Sequence, residues 1–444
     1  MPRLFTIPPG AENNPANPYI KRNFLVNTLD AMTFYFGDTF AAAQTILPVF
    51  ASTLTQSTVL IGLVPAINDG GWYLPQLFFA PLLQRVKRRL PLVRWLALVE
   101  RIPFLLMIFA ALWLPTLHSS LAIWLFLILI ALKGLSAGVV GLPWQELIAT
   151  IIPVWLRGRF FGISHFMGKL MGLGASGLAA LILARYAYPR NYSMLFVLAF
   201  IGVMLSWLFV SISKEPPVVQ VEPDPNAVKT AFSSQLWSIL KEDANFRKYI
   251  YSRSLGYLGN MAASFVAVYG IQRFDLPDTY AAIFTSVLVG AQTLGFIGWG
   301  AVGDRFGHKL VLMGSGVLWI LALVLLLTVP AVWVLYPAFA LLGLVQPGNT
   351  IGDLNLAMEF DHGPRRPSYI GLARTLTAPI LLTAPVIAGA VAGWTGYPAM
   401  FGLSLALSIA GLLLLWLTVI DPRAISRAKA RAKSYVNPGS DTID

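Results

Sequence analysis

Twelve apolar stretches recur along this chain, near residues 24–50, 58–82, 91–114, 121–146, 160–184, 191–213, 248–271, 279–302, 309–329, 331–357, 368–392 and 398–420. Each matches the roughly 20 residues that a helix needs to cross the hydrocarbon of a bilayer. No water reaches backbone N–H and C=O groups there, so an isolated segment of this kind must satisfy them internally, as a helix. The pattern predicts one fold class, an all-α membrane protein of twelve transmembrane helices. Only 12% of the residues are charged, about half the share in soluble domains. Prolines and glycines inside the stretches, as in "GLPWQE" and "TAPILLTAPVIAG", are compatible with spanning helices, because neighbours re-satisfy the freed backbone groups.

The basic residues orient the spans. With the N-terminus in the cytoplasm, the tails and even-numbered loops hold 23 of the 32 Lys and Arg, while the outer loops hold only Arg185, Arg190 and Arg273. That asymmetry predicts both termini in the cytoplasm and a multi-pass protein of the cell (inner) membrane. It also explains the net charge of +12 without nucleic acid as a partner. The start, "MPRLFTIPPGAENNPANPYIKRN", is polar and proline-rich and reads as no signal peptide. There is no cysteine, which excludes disulfides and thiolate chemistry. The four histidines are dispersed and no H-E-x-x-H, G-x-S-x-G or Walker-type loop occurs. No enzyme, cofactor, metal site or ATP-driven pump is expected.

Four regions follow: a six-span half over 1–213, a cytoplasmic linker over 214–246, a second six-span half over 247–420, and a basic cytoplasmic tail over 421–444. Within the linker, Phe232, Leu236, Ile239 and Leu240 fall at helical spacing, which predicts a helix along the membrane surface. The halves repeat each other. "RGRFFGISHF" opens the fifth span and "RRPSYIGLART" the eleventh; "LQRVKRR" and "GDRFGHK" each join the second and third spans of their half. Parallel repeats of this sort are a transporter architecture, with the substrate near the midplane between them.

The heptad "GDRFGHK" resembles the loop signature of the major facilitator superfamily, G-x-x-x-D-R-x-G-R-K. Asp304, Arg305, Gly307 and Lys309 match, Gly303 lies one register from the first glycine, and His308 replaces a basic residue. "PVWLRGRFFG" resembles the family's loop after the fourth span. The resemblance, over almost the whole chain, implies a secondary transporter working by alternating access, with spans one, four, seven and ten lining the cavity. It implies that Asp304 faces the start of span five near Phe160–Gly162 and latches an inside-closed state. In the first half Gln84, followed by Arg85, stands where the acid belongs, so one charged latch is expected rather than two.

A charge at the bilayer centre costs about 2.5–3.5 kcal/mol on the lenient scale and marks a functional candidate. At 1.5 Å per residue, Asp38, Asp69 and Lys133 reach the midplane, and with the family's cavity geometry Asp38 and Lys133 form a pair flanked by Asp69. On span one Asn27, Asp30, Phe34, Asp38 and Thr45 fall on one helical stripe, which reads as a wet face; otherwise these acids cap backbone or pair for folding. Nearer the cytoplasm lie Asp30, His165, Lys169, Arg253 and Arg374, of which Lys169, Arg253 and Arg374 are candidates for the substrate cavity. His165 between Asp30 and Lys169 could relay protons. Arg253 and Arg374 either hold an anionic substrate or pair with Asp30 or Asp353. Asn260, Gln346 and Asn349 are uncharged candidates for substrate contact, and Glu100–Arg101, on span three, should face away from the cavity as a structural pair.

The expected function is secondary active transport of a small molecule, coupled to protons or another ion, with efflux as one direction, by a monomer in a lipid bilayer. Two alternatives stay open: uptake of an organic anion or sugar by symport, and a non-transporting sensor or membrane-complex assembly factor of the same fold.

Overall fold

The computed structural model describes residues 17–83, 86, 88–216, 238–361 and 366–423. Among them are fourteen α-helices of nine residues or more, a short helical stretch at 238–242, and no strand. The fourteen are α1 (Ile20–Thr39), α2 (Ile46–Leu54), α3 (Thr58–Leu83), α4 (Arg89–Trp113), α5 (Ser119–Ile151), α6 (Val154–Arg185) and α7 (Arg190–Ser211) in the first half. The second half holds α8 (Ala244–Gly259), α9 (Val266–Phe274), α10 (Thr279–Phe306), α11 (His308–Thr328), α12 (Leu335–Glu359), α13 (Arg366–Thr395) and α14 (Tyr397–Thr418). Since α1–α2 and α8–α9 are each one span read from the sequence, the fourteen helices make the twelve expected rods in two sets of six. Nine rods among the described residues are long and apolar enough to cross a membrane by length and composition. Large apolar side chains such as Trp95, Phe109, Leu294 and Trp394 face outward, as a lipid-solvated surface requires. The chain is a multi-pass membrane protein.

Spans one and seven are broken rather than continuous. In span seven α8 gives way to a 3-10 turn, Met261–Phe265. The Gly259 carbonyl freed by the break accepts from Trp319 Nε1 at 2.9 Å and from the Ser404 hydroxyl. In span one residues 40–45 interrupt the helix, and the Thr45 hydroxyl lies 2.6 Å from that of Thr285 in the other half. Neither break carries a proline; partners distant in sequence make both affordable.

The buried apolar residues divide in a way that fixes the shape. At the end of the molecule away from both termini, one core runs through both halves, from Phe40, Phe50 and Phe126 to Phe265, Phe284 and Phe401. At the end carrying the termini, here called the tail end, there are two separate cores. One contains only first-half residues such as Phe24, Ile148 and Phe160; the other contains only second-half residues such as Phe246, Leu356 and Leu415. The hydrogen bonds between halves agree. Among the described residues they include Thr45–Thr285, Thr58–Gly389, Ser286–Ser176, Tyr192–Asp278 and Lys169–Gln292. All but the last lie toward the end opposite the tails, and Lys169 is at the middle of α6. The halves are joined at one end and apart at the other. At the joined end Asp278 is pushed upward in pKa by burial, although the Tyr192 hydroxyl donates to it at 2.9 Å.

The glycine-containing heptad sits where α10 turns into α11. Gly307 has φ +101°, a conformation that side-chain-bearing residues avoid. Gly303 leaves room for the His308 ring, which a Cβ would meet at 2.8 Å. His308 Nδ1 lies 2.5 Å from Glu359, and Arg423 reaches the same carboxylate at 2.6 Å and the Gly303 carbonyl at 3.0 Å. Burial alone would raise the Glu359 carboxyl; the hydrogen bonds from His308 and Arg423 outweigh it and hold the group below its ordinary value. Arg423 thus ties the chain after α14 to the ends of α10, α11 and α12.

Several sequence expectations fall outside the described residues: Gln84 and Arg85, most of the linker including Phe232 and Leu236, and the tail beyond residue 423. Of the surface helix only 238–242 is described. There Ile239 is fully buried with Phe246 and Leu356, so this end of it packs into protein.

Candidate functional site

At mid-depth lies a cavity of about 310 Å³, walled mainly by the first half and bordered by Gln346 of the second. Phe34 and Asp38 of α1, Asn68 and Asp69 of α3, Glu100 and Phe104 of α4, Lys133 of α5 and Gln346 of α12 are on its wall. Residues from five helices meet here because each carries at least one polar side chain at the depth where its neighbours do. Lys133 Nζ contacts Asp38 Oδ1 at 3.2 Å and donates to Asn68 Oδ1 at 3.0 Å. Asn68 Nδ2 in turn donates to Asp69 Oδ1 at 3.0 Å. The Lys133 side chain is 8% exposed while that of Asp38 is 40% exposed, so the cation is fixed in protein and the acid faces the cavity. The pair expected from depth and resemblance is thus formed, with Asp69 linked to it through Asn68.

A second polar chain crosses between the halves. Lys169 Nζ of α6 donates to Gln292 Oε1 of α10 at 2.8 Å, and Gln292 Nε2 donates to Gln346 Oε1. The ammonium also lies 4.8 Å from the centre of the Tyr35 ring, a favourable cation–π distance. Tyr35 shares a hydrogen bond of 2.9 Å with His165 Nδ1. The His165 ring stacks between Phe161 and, across the interface, Phe296. Gln292 and Tyr35 had no distinguishing sequence signal: one is a lone amide in an apolar span, the other one aromatic among many.

Three expectations need correction. Asn27 and Asp30 do not line the cavity. Asn27 donates to the Ser213 hydroxyl at 2.9 Å, and Asp30 accepts from Ser206 at 2.6 Å and Trp144 at 3.4 Å, all inside the first half. A helical stripe fixes an angle about one axis; what lies opposite it changes with depth, from α7 near the tail end to the cavity at Phe34 and Asp38. Asp30 is therefore also not the partner of His165. Glu100 is on the cavity wall rather than turned away, while its ion-pair partner Arg101 points to α7, donating to the Val203 carbonyl and Ser206 at 3.0 Å each. Phe160–Gly162 is not a helix start. The helix α6 begins at Val154, beyond the apolar stretch, so free N–H groups belong to its first turn.

In the second half Arg253 is neutralised within its own bundle. It faces Asp353 with two nitrogens, at 2.6 and 2.9 Å, and Asn349 at 3.2 Å. Tyr249 and Tyr257 also donate to Asp353. Asn260, at the α8 break, lines a void of about 30 Å³ beside Arg253 and Asn349 rather than the 310 Å³ cavity. Arg374 is exposed and has no ion pair among the described residues. Asp304, Arg305 and Phe306 are exposed at the tail end, and Lys309 donates to the Trp416 carbonyl at 3.2 Å.

A family model described as Major Facilitator Superfamily matches residues 276–439. No curated protein matches the chain. Among solved structures, a mutant of the nucleoside transporter NupG is similar at TM-score 0.68 and 16% identity, covering 90% of this chain and 100% of its own. A D-xylose–proton symporter gives TM-score 0.65 at 14% identity, with 91% and 99% covered. The xylose transporter XylE from E. coli, in an inward-open conformation, gives 0.65 at 12% identity, with 90% and 96% covered. At these identities the likeness speaks for the fold, which is the major facilitator fold.

Proposed function

We propose that this chain, a major facilitator superfamily protein by its C-terminal match and its fold, is a proton-coupled secondary transporter of a small molecule. The observation that carries this is the 310 Å³ cavity in a molecule whose two halves share a core at one end only. Rocking the halves would exchange which end is joined, and the cavity would face the other side. The bias of basic residues supports a cytoplasmic tail end in an inner membrane, which makes the present state inward-facing. Transporters of nucleoside and of D-xylose with a proton among the similar structures support a small-molecule cargo and a proton as coupling ion.

In this reading Asp38 and Asp69 take up the proton. A proton on Asp38 frees Lys133 from its ion pair, and Asn68 passes that change to Asp69. In proteoliposomes under an imposed pH gradient, Asp38→Asn and Lys133→Ala are each expected to reduce gradient-driven flux at least tenfold, with Asp38→Asn retaining exchange without a gradient. Wild-type flux in both variants would overturn the coupling role, and absence of flux with any cargo in the wild type would favour a sensor or assembly factor.

Asp304 acts on the conformational balance. Its exposure here fits a state whose tail ends are apart. When they close, it meets the first turn of α6 and the exposed Arg159. A carboxylate at a helix N-terminus is worth about 0.3–1 kcal/mol, a shift of up to several-fold. Asp304→Asn should therefore increase labelling, from the tail side, of a single cysteine introduced in the cavity; unchanged labelling would remove the latch.

A further inference from the structure

Of the four interior cations that hold a polar or ionic partner among the described residues, three are matched by a carboxylate and Lys169 is not. Arg101 has Glu100, Lys133 has Asp38, and Arg253 has Asp353. Among the described residues no carboxylate lies within ion-pair distance of Lys169. Its partners are a neutral amide oxygen at 2.8 Å and the face of a tyrosine. A half-buried cation at the middle of a span is costly without a counter-charge. Asp38 is nearby on α1 but its carboxylate is engaged by Lys133.

The neighbours of Lys169 form a surface for an anion. Its amide partner Gln292 donates onward to Gln346, so the Gln346 oxygen is used and its N–H groups have no partner among the described residues. Gln346 is exposed and on the wall of the central cavity. The ammonium of the first half is thus separated by one amide, Gln292, from an amide donor of the second half that faces the cavity. A carboxylate would replace the neutral Gln292 oxygen on Lys169 with an acceptor of opposite charge, turning an ion–dipole contact into an ion pair. It could accept from Gln346 at the same time.

We propose that Lys169 and the Gln292–Gln346 amide pair form the subsite for an anionic group of the cargo, so that the transported molecule is an organic anion carrying a carboxylate. The contact spans both halves. Such a ligand binds more tightly when the halves are close at mid-depth and so biases the transition between states. It also accounts for the acids across the cavity: a proton on Asp69 removes the negative charge that would repel an arriving carboxylate. The inference rests on the transport reading, but its test does not require transport.

The full-length protein in detergent is titrated with benzoate, hexanoate and succinate, with the neutral isosteres benzamide and hexanamide, and with cationic benzamidine. Melting temperature is the readout, because a ligand bound to the folded state alone raises it with concentration. At least one carboxylate is expected to raise it while its amide and the amidine do not. Lys169→Gln should weaken that carboxylate at least tenfold, Lys169→Arg should retain it, and Arg185→Gln, at the exposed last residue of α6, should leave it unchanged. No response to any carboxylate, an equal response to the isosteres, or a response surviving Lys169→Gln would overturn the proposal. Gradient-driven flux of an uncharged cargo would leave the transport reading standing while removing the anion subsite. Carboxylate binding without flux would do the reverse.

Discussion

Replacing Arg101 with methionine is expected to lower the stability of the folded protein by about 3–5 kcal/mol, the usual range when one partner of a buried ion pair is lost. The two side chains of the Glu100–Arg101 pair are each 5% exposed. Arg101 also holds the Val203 carbonyl and the Ser206 hydroxyl, and Ser206 donates to Asp30. Removing the guanidinium leaves Glu100 without a counter-charge and takes one donor from the network that joins α4, α7 and α1. Methionine keeps the apolar stem, so the loss is electrostatic rather than a cavity. Thermal unfolding in detergent reads it as a clear drop in melting temperature. The double variant Glu100→Gln, Arg101→Met should recover most of the loss, since replacing both charges is far cheaper than stranding one. A single variant as stable as wild type would mean that Glu100 is already compensated from elsewhere.

A valine at Gly62 should open the end where the halves are joined. A Cβ there would sit 2.5 Å from the Pro385 carbonyl of the other half and 2.8 Å from the Phe265 ring. Across the same seam, a Cβ at Gly389 would meet the Thr58 carbonyl at 2.6 Å. The α3–α13 crossing is therefore backbone against backbone, the close approach that small residues permit between membrane helices. Ordinary contact begins near 3.4 Å, so even one added carbon demands about 1 Å of separation, and valine adds two methyls beyond it. The chain has no cysteine, so a cysteine at the fully buried Thr45 is a unique reporter. Its labelling by a membrane-impermeant thiol reagent from the side of the joined end should rise at least tenfold in Gly62→Val, with flux falling in parallel. Unchanged labelling would move the seal away from this seam.

How far each conclusion was legible in the sequence depended on the range of the interaction behind it. Asp38–Lys133 could be anticipated because counting residues at a fixed rise puts Asp38, Asp69 and Lys133 at one depth, and the family resemblance, which implies that spans one and four line the cavity, chose between the two acids. The Gly307 turn was legible because its requirement is local. The pairing of Asp30 with Ser206, 176 residues away, was not, since a serine in an apolar span has no periodic signature. Nor was the clamp of Glu359 by His308 and Arg423, which brings three chain ends together. The start of α6 was misplaced because helical hydrogen bonding continues past the apolar stretch, and hydropathy registers only the stretch.

By itself the sequence determined the helical membrane class, the two sets of six and the inventory of interior charges. These follow from the absence of water in a bilayer and from the cost of charge there, both of which act on each segment alone. Only the tertiary structure decided which end is joined, which charges are neutralised, and that Lys169 is left with a neutral partner across the interface. Those outcomes depend on which side chains meet at the same depth on different helices, and a linear hydropathy pattern carries no information about the angle between two helices.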